Sequence, residues 1–119
     1  MAIPNILTAN ILYGKTAYAN VTSTLSNVLV NDTNSGNSIK IVNCTAANTD
    51  TQNIANVTLC VRRAGVINYL GVGINVPSRS SLVLLSKDNS LTLEEGDALQ
   101  MSADSNSKIW GTISYEEIR

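Results

Sequence analysis

Residues 57–76 read VTLCVRRAGVINYLGVGINV, and the rest of the chain falls into place around them. Val57, Leu59 and Val61 alternate with Thr58, Cys60 and Arg62, and Leu70, Val72, Ile74 and Val76 alternate with Gly71, Gly73 and Asn75. A period of two places successive side chains on opposite faces of a pleated strand, so both runs predict half-buried strands. Arg63-Ala64-Gly65 between them is a turn, and the unit is a β-hairpin. Pro77 ends the second strand because it has no N–H to donate to a ladder.

The same signals continue in both directions. Upstream, SIKIVNCTA (38–46) starts with Ile39 and Ile41 on one face and continues with Val42, Cys44 and Ala46 on the other. Such a change of phase predicts a β-bulge or burial on both faces. NDTNSGN (31–37) before it is a turn rich in residues that tolerate left-handed backbone angles. Residues 22–31 supply one more strand. Downstream, SLVLLS (81–86), LTL (91–93), a strand with Leu99, Met101 and Ala103 on one face, and a last strand with Ile109, Gly111, Ile113 and Tyr115 on one face are separated by polar corners.

About eight short strands at roughly 8–12-residue spacing, with no long helical pattern, predict an all-β fold: a single-domain antiparallel β-sandwich, jelly-roll-like. The chain of 119 residues is long enough for one such domain. Residues 1–19 are expected to form an N-terminal arm or first strand, and 20–119 the sandwich. Ile3, Ile6, Leu7 and Ile11 fit one helical face, whereas Pro4 and Gly14 argue for an extended arm. An apolar arm of this kind is expected to pack on a neighbouring molecule, so deleting residues 1–12 should weaken assembly more than thermal stability.

Composition removes several function classes. Net charge is -1, and the eight Lys and Arg are scattered, with Arg62 and Arg63 the one adjacent pair. Nucleic-acid binding needs a clustered basic face, so no nucleic-acid partner is expected. No apolar run approaches the ~18 residues of a membrane span, and no targeting segment is recognisable at the start, so no membrane partner is expected either. Phe is absent, and Val, Ile and Leu share the apolar positions with many small residues. Cys44 and Cys60 lie on two different expected strands and read as reduced core residues. A disulfide would require those strands to be neighbours.

The chemistry of candidate sites is thin. Glu94, Glu95, Asp97 and Asp104 include three carboxylates in LTLEEGDALQ (91–100), but general acid–base work needs two carboxyls held across a substrate. Adjacent Glu94 and Glu95 would point to opposite sides of an extended chain. Gly96 accounts for the corner by supplying a positive φ, with its acidic neighbours solvated. DTNSG (32–36) fails as an EF-hand loop, since Gly36 and Asn43 stand where ligands are required. A looser calcium site would have to come from Asp88, Asp97 or Asp104. With no histidine and no G-x-S-x-G elbow, no nucleophilic triad can be built. Gly71-Val72-Gly73 lies inside a strand with no phosphate-binding lysine after it; its small residues leave room for a packed neighbour. Four N-x-[ST] sequons, at Asn20, Asn31, Asn43 and Asn56, are what a chain this rich in Asn, Ser and Thr produces by composition. The sequence therefore predicts no catalytic residues, no cofactor and no metal site, and the chain is expected not to be an enzyme.

IPNILTANILYGKTAYANVT (3–22), INVPSRSSLVLLSKDNSLTLEEGDALQMSA (74–103) and ISYEEI (113–118) resemble, in order, landmarks of small virion structural proteins of tailed bacteriophages, especially those of marine cyanobacteria. The shared features are a Pro-closed strand, a strand with Lys and a turn, L-x-L-x-x-G-D, and a final strand ending in Tyr-Glu-Glu. The resemblance implies a non-enzymatic virion component made in the host cytoplasm, most similar to capsid decoration or cement proteins. It implies the major capsid protein as partner and a homo-oligomer, with a trimer expected. A neck, tail or fibre-attachment protein is the alternative. A carbohydrate-binding jelly-roll module is the reading from another class, which a chain with five aromatics and no paired spacing supports less. Expected interface residues are Ile3, Ile6, Leu7 and Ile11 of the arm, with Arg62, Arg63 and Trp110. Trp110 alternates away from Ile109 and Ile113, so it is either exposed or turned toward a second layer.

Overall fold

Strand β4 (Ala55–Arg63) and strand β5 (Val66–Val76) form the expected hairpin, and the whole fold is that hairpin extended and rolled up. The computed structural model describes residues 12–86, 91–104 and 108–118. Within them lie seven further strands: β1 (Leu12–Val21), β2 (Ser26–Val30), β3 (Ser38–Asn48), β6 (Ser81–Leu85), β7 (Leu91–Leu93), β8 (Ala98–Ala103) and β9 (Ile109–Ile118). Outward from the β4–β5 turn, β3 pairs with β6 and β7, β2 with β8, and β1 with β9, all antiparallel. Lateral pairing of β9 with β3 and of β8 with β4 then closes two sheets, ordered β1-β9-β3-β6 with β7 also on β3, and β2-β8-β4-β5. This nested pairing split between two sheets is a jelly roll. The described strands number nine rather than about eight, the ninth being β1, and β6 and β7 share one position along β3. The strand expected at 22–31 is shorter, Ser26–Val30, and β1 begins at Leu12 inside the segment expected to be arm or first strand.

The two-residue tip is a type I′ turn: Ala64 and Gly65 have φ of 52° and 80°, and Arg63 pairs directly with Val66. That turn matches the right-handed twist of its strands but requires positive φ at both central residues. Gly65 adopts it freely, and Ala64 is strained by its Cβ.

The phase change in β3 is a bulge. Ile41 pairs with Tyr115 and Asn43 with Ser114, leaving Val42 as the extra residue. Ile39, Ile41, Cys44 and Ala46 are consequently all buried, although their sequence spacing changes from odd to even positions. They meet Val57, Leu59, Leu99 and Met101 of the opposite sheet in an aliphatic core that also takes in Val21, Ile109 and Ile113. Each fully buried Ile or Leu contributes about 1.5–3 kcal/mol. Gly111 sits where a Cβ would stand 3.3 Å from Met101 Sδ, so its small size admits the methionine between the sheets. Both cysteines are free and buried, on strands of different sheets. Burial pushes the Cys44 thiol up to about 12 and raises that of Cys60, so both stay protonated.

Strand β5 departs from its sequence pattern. The register gains one extra β5 residue at Leu70 and another at Val72–Gly73, where Gly73 has φ of 64°. These two bulges break the alternation: Val76 is buried and Ile74 half-buried, whereas Leu70 and Val72 are exposed. The glycines serve this geometry, Gly73 through its positive φ and Gly71 because a Cβ there would lie 2.5 Å from Ile74 Cδ1.

Candidate functional site

The acidic corner is built at the tip of the rolled hairpin. Gly96, with φ of 88°, turns the chain between β7 and β8, and the Asp97 N–H donates to Glu94 O at 3.0 Å. The Gly96 N–H donates to Asn31 O and the Asn31 N–H to Asp97 O, which tie the corner to the end of β2. The Asp97 side chain then turns inward and is 2% exposed. Its Oδ2 accepts the Glu94 N–H at 2.9 Å, and its two oxygens take a bidentate pair from Arg63, Nε to Oδ1 at 2.9 Å and Nη2 to Oδ2 at 2.6 Å. Arg63 Nη2 also lies 3.5 Å from Glu94 Oε2. The hydrogen bonds that Arg63 donates to Asp97, the charge of Asp97 and that of Glu94 raise the Arg63 pKa further above an already high value.

This arrangement corrects the expectation of a solvated acidic corner, because Asp97 and Glu95 are both buried. Asp97 is the carboxylate that Arg63 at the β4–β5 tip holds in a bidentate pair, with Glu94 at longer range, and fork geometry makes the Asp97 pair directional. A cleft of about 270 Å³ opens beside it, lined by Thr33, Arg63, Ala64, Glu94, Glu95, Gly96 and Asp97. Both Asp97 oxygens accept hydrogen bonds, and the cluster is arranged as a clamp that fastens the hairpin tip. Among the described residues no group of three acidic, Cys or His side chains is placed to hold a metal ion. Asp88 lies outside the described residues.

The expected interface residues separate. Ile3, Ile6, Leu7 and Ile11 lie outside the described residues. Arg63 is held by Asp97, although its side chain remains about half exposed, and Arg62 is exposed beside it at the end of β4. Trp110 is 46% exposed on the outer face of the other sheet. One flat partner surface cannot cover both Arg62 and Trp110.

Two exposed groups escape a reading of the sequence alone. Val66, Tyr69, Leu70 and Val72, the last 69% exposed, follow one another along β5, the open edge of its sheet. The available signal was Gly73 inside a strand, which marks bulges and loss of alternation. The second group is Tyr18, 73% exposed on β1, which register brings next to Trp110.

No protein-family model matches the chain, and no curated protein matches its sequence. Among solved structures it is similar to a subunit of the Bacillus endospore appendages, described as a novel family of disulfide-linked pili, at TM-score 0.54 and 14% identity over 99% of this chain and 95% of that one. A pentameric capsid protein isolated from metagenomic phage sequences is a more distant neighbour, at TM-score 0.40 and 14% identity over 87% of this chain and 60% of that one. At such identities what the chain shares with the pilus subunit is its fold.

Proposed function

We propose that the protein is a non-enzymatic structural subunit of a phage virion, and within it a decoration or cement protein that binds the major capsid protein and stabilises the shell. The observation that carries the structural role is the β5 edge, where Val66, Tyr69, Leu70 and Val72 are exposed along a strand that, among the described residues, pairs on one side only. A lone sandwich that leaves such an edge open is prone to association, and a closed oligomer, with a trimer expected here, covers it. The double bulge twists the edge, so side chains rather than an added strand make the contact. The pilus subunit supports this reading because it puts the same fold to work in an assembly. Disulfide linkage is not the joining device here, since both cysteines of the chain are buried and free. The virion and capsid assignment rests on the sequence landmarks at 3–22, 74–103 and 113–118, with the N-terminal segment as a second contact.

Quantitative mass spectrometry of purified particles against the major capsid protein tests the role. Lattice symmetry repeats every shell contact, so a decoration protein should be present on the order of hundreds of copies, against on the order of ten for a neck or tail component. Absence from particles would remove the virion reading altogether.

A further inference from the structure

We infer that the outer face of the β1-β9-β3-β6 sheet is a binding platform for an extended, uncharged polysaccharide, with Tyr18 and Trp110 as its stacking residues. Tyr18 pairs with Thr112 and Asn20 with Trp110 across β1 and β9, which makes the two rings diagonal neighbours on one face. Diagonal cross-strand side chains are about 7–8 Å apart, within reach of a single ligand chain. Both rings are exposed, at 73% and 46%.

What surrounds them is uncharged and mostly hydrogen-bonding. The Tyr18 row continues through Thr112 and Thr45 to the exposed Val83 of β6, and the row beside it holds Thr16, Ser114 and Asn43. No charged residue occurs in either row or in the Trp110 row. Thr45 Oγ1 donates to Asn43 Oδ1 at 2.7 Å, which fixes the amide in place. Sugar rings present apolar C–H faces to aromatic rings and hydroxyls that both donate and accept, as Ser, Thr and Asn side chains do.

Other occupants fit less well. Stacked nucleic-acid bases would need cations along the backbone, and this face has none in these rows. A protein interface of standard size buries roughly 800 Å² per partner around an apolar centre, whereas here the rings stand among hydroxyls. A longer run of exposed apolar side chains, Val66, Tyr69, Leu70 and Val72, is on β5, in the other sheet. The inference is independent of the virion reading.

Affinity electrophoresis of the full chain in gels containing hydroxyethylcellulose, galactomannan or dextran, with heparin as the anionic control, tests it. Trp110 is the single tryptophan of the chain, so its emission reports binding directly. Retardation by hydroxyethylcellulose with a blue shift of that emission is expected. Tyr18→Ala and Trp110→Ala should each weaken retardation roughly tenfold at unchanged melting temperature, and Tyr18→Phe should retain it. Retardation by none of the neutral polymers, retardation by heparin alone, or binding that survives both alanine substitutions overturns the proposal. So does an emission shift that follows protein concentration without polysaccharide, which would assign the face to self-association.

Discussion

Strands β3 and β5 are each eleven residues long, and each breaks its ladder register twice, yet one is the centre of the core and the other is nearly all surface. In β3, flanked on both sides, the bulge at Val42 returns Cys44 and Ala46 to the face already occupied by Ile39 and Ile41. In β5, which has a neighbour on one side only, the bulges turn Leu70 and Val72 out while Ile74 and Val76 stay in. A bulge is therefore neutral in itself. What surrounds it decides whether it preserves a core face or exposes an apolar one.

The largest expected contrast is between truncations on the two strands. Ile41→Ala should cost about 3 kcal/mol in urea unfolding, through lost burial and a cavity, and Val72→Ala less than about 0.5 kcal/mol. Similar losses would break the distinction between core and edge. Val72→Ala should instead weaken oligomerisation in sedimentation experiments.

At the start of β5, Arg63→Met leaves the buried Asp97 carboxylate with one backbone donor. The expected loss is about 2 kcal/mol, below that of a fully buried pair because water reaches the half-exposed arginine site. An unchanged midpoint would mean that the clamp does not hold the hairpin tip. Gly73→Ala should cost about 1 kcal/mol, although a Cβ there meets nothing within 4 Å, because the penalty lies in its positive φ.

A further effect is on pH dependence, through Cys44 of β3. Cys44 rises from 9.0 to about 12 on folding, so its contribution to stability is complete below pH 9 and is lost as pH rises toward 12. Unfolding midpoints measured from pH 8 to 11 should fall more steeply in the wild type than in Cys44→Ala.

Much of the site remained invisible in one dimension. Tyr18 and Trp110 are 92 residues apart in sequence, and no local spacing announces that β1 and β9 will pair. Arg63 and Asp97 likewise lie on separate turns, so Gly96 explained the corner and nothing pointed to an inward carboxylate. Trp110 was legible as an outward residue because Ile109, Gly111 and Ile113 define the inner face on their own.

The sequence by itself determined the strands, their turns and the class of fold, because period-two burial, positive-φ glycines and Pro77 act through neighbouring residues. Only the tertiary structure decided which strand became an edge, which carboxylate was buried and which rings met. Those outcomes depend on lateral pairing between distant segments, where a single extra residue in one strand exchanges its inner and outer faces.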